Sequence, residues 1–180
     1  MTRVLVPLAE GCEEMEAVII IDVLRRAGWA VTGVGLQPGP VRGSRGVILL
    51  PDAEWDETNW AEFDLLVLPG GGPGTQRLAQ DARVLAAVKG FNDAGKRLAA
   101  VCAAPLVLQQ AGVLDGRKAT CHPSLASRLT RARYMTEPVV VDGRITTSQS
   151  AGTCLAFALE LIRQVDGDGK VREVREGLAM

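Results

Sequence analysis

Short, nearly unbroken apolar runs alternate along this chain with longer stretches in which apolar residues recur every three or four positions. That alternation predicts an α/β protein with a largely parallel sheet. Strands are predicted at about Arg3–Leu8, Ala30–Gly35, Phe63–Pro69 and Arg97–Val101. The third is apolar apart from Asp64, as expected of a strand buried on both faces. Helices are predicted over 13–27, with Gly28 past the end as a C-cap, over 103–111 and over 152–164, with one or two more between 75 and 94 and a short one over 170–178. Val41–Leu50, bracketed by Gly39-Pro40 and Pro51, reads as a hairpin or edge insertion. Lys118–Cys121 reads as another strand, Ser124–Leu129 as a short helix, and Val139–Ser148 as a hairpin around Asp142-Gly143.

In open α/β sheets ligands sit outside the carboxyl ends of the strands, near a switch in strand order. Three unusual segments fall at such ends: Glu10–Glu16, Gly70–Gly74 and the turn at Cys102. The common strand order 2-1-3-4-5 makes these ends neighbours.

At 180 residues the chain is long enough for one substantial core, and a single domain spanning residues 1–180 is expected. Hydrophobic residues at 47% and charged residues at 23% are ordinary for a globular domain. A net charge of -1 provides no electrostatic case for nucleic acid or an anionic membrane. No segment approaches the roughly 20 apolar residues of a membrane span, and the first apolar run is too short for a secretory leader, so a cytoplasmic location is expected. The cysteines at 12, 102, 121 and 154 are scattered without a CxxC pair and read as reduced thiols. The one histidine, His122, adjoins Cys121 in an extended segment where neighbours point to opposite faces, so no metal site is expected.

Cys102 ends an apolar strand and leads directly into a helix. A thiol at such a turn is exposed at the mouth of the sheet beside free helix N–H groups, which favour thiolate. The other three cysteines lack that setting and read as packing residues. Glu13 and Glu14 suit the positive end of the first helix. Glu16 precedes Ala17-Val-Ile-Ile-Ile21, so it either faces solvent or points inward; a buried carboxyl has a raised pKa and exchanges protons near neutrality. Gly70-Gly-Gly-Pro-Gly74 is either a tight turn or a source of N–H groups for an oxyanion. It is neither a P-loop nor a dinucleotide fingerprint. His122 is either structural or a partner for Cys102.

Gly11-Cys-Glu-Glu-Met-Glu-Ala-Val18, Asp22-Val-Leu-Arg-Arg-Ala-Gly28, Ser44-Arg-Gly-Val47, Val67-Leu-Pro-Gly-Gly71, Ala100-Val-Cys-Ala-Ala-Pro105, His122-Pro123 and Thr147-Ser-Gln-Ser-Ala-Gly-Thr153 together carry a further reading. They resemble the ThiJ/PfpI superfamily and, within it, the DJ-one (Parkinsonism-associated deglycase) branch, particularly its bacterial YajL-like members. The resemblance implies a flavodoxin-like (class I glutamine amidotransferase-like) sandwich, usually assembled as a homodimer through the first helix. It assigns Cys102 as the reactive, oxidisable cysteine and Glu16 as the protonated glutamate bonded to it. Gly70 and Gly71 become backbone donors for an oxyanion, and His122 becomes an auxiliary proton carrier. Arg45 matches an arginine near an anion site at the dimer interface. A second arginine of some animal members is Gln149 here, and the family's Gly-Pro-Gly-Thr is Ser150-Ala-Gly-Thr153. The protease-like and heat-shock chaperone branches carry histidine directly after the cysteine. Ala103 stands there instead, which argues against peptidase and amidotransferase chemistry.

The resemblance implies a cofactor-free glyoxalase or deglycase acting on methylglyoxal, glyoxal or their early protein and nucleotide adducts, in defence against oxidative and carbonyl stress. The alternative is a redox-sensing or chaperone-like protein that works through oxidation of Cys102.

Overall fold

The structure, a computed structural model, describes residues 1–180. In chain order the elements begin with β1 (Arg3–Leu8), α1 (Glu14–Arg26), β2 (Ala30–Gly35), β3 (Val41–Arg42), β4 (Ile48–Leu49), β5 (Ala53–Glu54) and β6 (Leu65–Leu68). There follow α2 (Gly72–Gln80), α3 (Ala82–Asp93), β7 (Arg97–Val101), α4 (Pro105–Gln110), β8 (Lys118–Ala119) and β9 (Arg133–Tyr134). The chain closes with β10 (Val139–Asp142), β11 (Ile145–Ser148) and α5 (Cys154–Gly177).

Seven strands form one sheet in the order β10-β11-β7-β6-β1-β2-β5. All neighbours are parallel except the β10–β11 hairpin at one edge. The five parallel strands β2, β1, β6, β7 and β11 therefore have the expected 2-1-3-4-5 order, and the chain switches direction between β1 and β6. This is the flavodoxin-like sandwich that the family resemblance implied.

Alternate residues of the central strands feed two separate cores. Leu5, Leu66, Leu68, Leu98 and Ala100 face α2, α3 and α4, while Val4, Val6, Leu65, Val67, Ala99 and Val101 face α1 and α5. Period-two alternation with both faces covered is why these strands read as unbroken apolar runs. On the helix side, Ala17, Ile20, Val23 and Leu24 of α1 and Phe157, Ala158, Leu161 and Ile162 of α5 supply the matching faces.

Several boundaries differ from the sequence expectation. Gly72-Pro-Gly74 is the first turn of α2 rather than loop, because Pro73 suits a helix start and Gly71 closes the turn at φ 90°. α4 begins at Pro105, since Cys102 breaks from helical geometry. The segment at Lys118–Ala119 pairs with β9 outside the main sheet. The two predicted C-terminal helices are α5, interrupted at Gly167 with φ 79° and ψ 179°. The Val41–Leu50 insertion is the β3–β4 hairpin. No helix is long and apolar enough to cross a membrane.

Phe157 is fully buried between α5 and the sheet. Phe157→Ala is expected to lower the unfolding free energy by about 3–5 kcal/mol, measured by urea denaturation.

Candidate active site

The carboxyl ends of β1, β6 and β7 meet where the strand order switches, and the chain there is stitched backbone to backbone. Glu13 N–H donates to the Gly70 carbonyl at 2.9 Å, and Gly74 N–H to the Gly11 carbonyl at 3.0 Å. Glu13 also caps α1, its carboxylate accepting from Glu16 N–H at 2.7 Å. The approach is so close that a Cβ on Gly70 would lie 2.6 Å from the Cys102 Cβ and 2.7 Å from Glu16 Oε2. Only glycine fits between them.

Glu16 points inward and is completely buried. Its Oε2 accepts from Gly70 N–H at 2.8 Å, while Oε1 is buried without a formed hydrogen bond. Burial pushes its pKa from the ordinary 4.5 up to about 7; the Gly70 N–H, the Cys102 thiol and the Ala151 N–H act against that rise, and the charge of Glu13 adds to it. Ala151 belongs to the Ser150–Thr153 segment that departs from the resembled motif, and a proline at 151 would have no N–H to offer Glu16.

Cys102 sits in left-handed backbone geometry at φ 62°, which costs a non-glycine residue on the order of 1–3 kcal/mol. Two hydrogen bonds hold it there: its N–H donates to the Ser148 carbonyl at 3.0 Å, and its carbonyl accepts from His122 N–H at 2.8 Å. The thiol is half-buried, whereas Cys12, Cys121 and Cys154 are fully buried.

The turn does not favour thiolate as expected. Burial first, and the charge of Glu16 next, push the Cys102 thiol up to about 12, against the opposing pull of the Gly71 and Ala103 N–H groups. The expected helix terminus contributes little, because α4 is only six residues long and starts with a proline that has no N–H. Where Glu16 holds a proton, its repulsion disappears and its O–H is available to the sulfur. The two groups therefore titrate as a pair.

The remaining predicted residues are placed differently. Gly71 N–H lies at the sulfur, but Gly70 N–H is already committed to Glu16, so the second donor beside Cys102 is Ala103. His122 is tied to Cys102 through its backbone. Its ring Nδ1 bonds the Ser124 hydroxyl at 2.8 Å and forms no hydrogen bond with Cys102 or Glu16. Arg45 is exposed, and its backbone N–H, not its guanidinium, is engaged, with Glu14 Oε1 at 2.7 Å.

That last contact reveals a residue whose role sequence reasoning missed. Glu14 is buried and clamps the 43–47 turn, accepting also from Val47 N–H at 3.2 Å and the Ser44 hydroxyl at 3.1 Å. Burial works to raise its pKa, but these donors and its own N–H outweigh it and hold the carboxyl below 4.5. The helix-dipole explanation of an acidic first turn concealed this clamp.

The sequence matches the DJ-1/PfpI family over residues 2–164. The chain belongs to the DJ-1/PfpI family. It is 41% identical over 177 residues to Protein dj-1beta of Drosophila melanogaster, covering 97% of this chain and 95% of that one. The crystal structure of Drosophila melanogaster DJ-1beta superposes with a TM-score of 0.96 at 40% identity, covering 99% of this chain and 98% of that chain. Among DJ-1/PfpI relatives, a Caenorhabditis elegans protein named glutathione-independent glyoxalase DJR-1.2 is 31% identical over 173 residues, covering 95% of this chain and 92% of its own.

The folded-state pKa of Glu16 is raised, so its neutral form favours folding. This contribution is complete below about pH 4.5 and is lost as pH rises through about 7. The rise from 4.5 to about 7 corresponds to about 3 kcal/mol. Glu16→Gln keeps an acceptor for Gly70 N–H but cannot ionise. At pH 8 it is expected to be more stable than wild type by about 2–3 kcal/mol, with the difference closing by pH 4.5 in urea denaturation followed across pH.

Proposed function

We propose that this protein is a cofactor-independent, cysteine-dependent glyoxalase or deglycase, acting in the cytoplasm on methylglyoxal, glyoxal or their early protein and nucleotide adducts. The observation that carries this reading is the pairing of a half-buried thiol, held in strained left-handed geometry, with a fully buried carboxyl whose second oxygen has no formed hydrogen bond. A family relative named as a glyoxalase points the same way.

Cys102 Sγ bonds to the aldehyde carbon while ionised Glu16 takes the thiol proton and passes it to the new alkoxide, giving a hemithioacetal. Gly71 and Ala103 N–H groups steady the oxygen as negative charge develops. Glu16 then removes the proton from the sulfur-bound carbon, the electron pair moves to the adjacent carbonyl, and the Glu16 carboxyl returns the proton to that oxygen to give an enediol. Glu16 next takes the proton of the hydroxyl on the sulfur-bound carbon, which becomes a carbonyl as the second carbon receives that proton, leaving a thioester. Water adds to that thioester, the C–S bond breaks, and the thiol is regenerated as lactate or glycolate departs. No electrons enter or leave, so no redox cofactor is required. His122 enters only as an auxiliary proton carrier through its Nε2, because Nδ1 is occupied by Ser124. The anion-binding role of Arg45 belongs to the dimer reading, since its exposed side chain adjoins the face considered next.

A homodimer is supported by an apolar face on which exposed Val18 of α1 and Leu50 line one cleft and exposed Val47 is bonded through its N–H to Glu14 of the same helix. Met15 of that helix and Ile48, between Val47 and Leu50, are exposed as well. A second copy burying this face removes them from water together. Oxidation sensing is the second reading, favoured by the fact that Cys102 alone among the four cysteines is not fully buried.

Lactate formation from methylglyoxal tests the enzyme reading. Cys102→Ser and Glu16→Gln are each expected to lose on the order of 10²–10⁴-fold in kcat/KM, and mutants as fast as wild type overturn it. In wild type kcat/KM rises with pH through about 7 as Glu16 becomes the base. Ala151→Pro deletes an N–H that favours ionised Glu16, so its rising limb moves to higher pH. No turnover combined with selective peroxide oxidation at Cys102, read by mass spectrometry, establishes the sensor instead.

A further inference from the structure

A groove of about 510 Å³ lies between α2, α4 and the 3₁₀ turn Pro123–Arg128. Gly72 and Ala103 line it, and the N–H groups at Gly71 and Ala103 are the two that face the Cys102 sulfur. Ala103 thus belongs both to the groove and to the surroundings of the Cys102 thiol, and Gly72 directly follows the other donor. The size of the groove falls in the range of about 300–1,000 Å³ that holds a drug-sized ligand, far beyond what a three-carbon aldehyde fills.

The polar groups on its walls are unspent. The side-chain amides of exposed Gln76 and Gln110 make no hydrogen bond within the chain, in contrast to those of Gln109, Gln149 and Gln164. Thr75 is only 5% exposed, and its hydroxyl is buried without a partner. Arg128, the one charged side chain lining the groove, is exposed and in no ion pair. Free side-chain amides suit the alternating N–H and C=O groups of a peptide backbone. A nucleobase wants an aromatic platform, and no aromatic side chain lines this groove.

We propose that the groove is a subsite for a peptide that carries the aldehyde adduct, with Gln76 and Gln110 meeting its main-chain amides and Arg128 taking an acidic side chain. This rests on the glyoxalase/deglycase reading and deepens it: the preferred substrate becomes an adduct on an acidic peptide rather than free aldehyde. Charge-assisted recognition by an exposed arginine is modest in strength and sets preference more than affinity.

The experiment is an NMR titration of full-length Cys102→Ser with an unmodified, acetylated and amidated tetrapeptide bearing two glutamates, alongside its two-lysine counterpart. The glutamate peptide is expected to shift the Gln76, Gln110 and Arg128 signals to saturation and to bind about fivefold to tenfold more weakly when Arg128→Glu is added. Arg128→Ala, which leaves a smaller side chain at an exposed position, repeats the comparison without charge reversal. Absence of shifts at these residues, equal binding of the lysine peptide, or unchanged affinity in both Arg128 variants overturns the proposal. So does a nucleoside monophosphate that perturbs the same residues more tightly than the peptide. Peptide binding is read without turnover, so a wild-type protein inactive on methylglyoxal defeats the enzyme reading while the groove is decided separately.

Discussion

The site is organised around a carboxyl group enclosed in apolar surroundings. Glu16 lies on the inward face of α1, next to Ala17 and one turn before Ile20, with no access to water. An unpartnered carboxylate in such a place is strongly disfavoured, so it must gather donors or keep its proton. It receives one firm backbone donor, from Gly70, and lies within the influence of the Cys102 thiol and the Ala151 N–H. Three separate segments must therefore converge on α1, and the convergence requires glycine at 70. The proton-exchanging character of the group and the close packing around it have one cause.

Cys102 completes the pair at the expense of backbone strain, and the sheet supports that strain. β7 lies between β6 and β11, and the left-handed turn directly after it is fixed by a carbonyl at the end of β11 and by the His122 N–H. A strained residue persists only where its surroundings over-determine it. Here they do so at the edge of two packed cores. Stability is given up at Glu16 and at Cys102 alike, in the two residues to which chemistry is assigned.

Glu14 and Glu16 are two residues apart at the positive end of one helix, yet their acidities move in opposite directions. The helix dipole acts on both, so it does not explain the difference. Glu14 accepts from the backbone of Arg45 and Val47 and from Ser44, and stays ionised to anchor the 43–47 turn. Glu16 has fewer donors and is pushed up toward neutrality. Ser44 N–H in turn donates to the Cys12 carbonyl at 2.8 Å, linking that turn to the loop that supports Gly71 and Gly74. The apolar face proposed for dimerisation is thus joined to the site by hydrogen bonds.

Period-two and helical apolar spacing determined the α/β class and most strands and helices, because burial on a sheet or helix face imposes those periods on local sequence. The central strand order was expected only as the common order of such sheets, and the tertiary structure fixed it. The motifs around Glu16, Gly70–Gly71 and Cys102 were legible for a related reason: each needs a particular residue type at a sheet end. What local sequence does not encode is the partner across space. The Cys102 turn alone suggested thiolate, and only its burial beside Glu16 reverses that. Gly70 and Gly71 looked interchangeable as donors until the fold placed Glu16 against one and Cys102 against the other. Glu14 resembled an ordinary acidic helix start until a turn 30 residues away closed on it. Protonation, strain and donor assignment depend on distances of a few ångströms between segments far apart in the chain, and those distances exist only once both cores have packed.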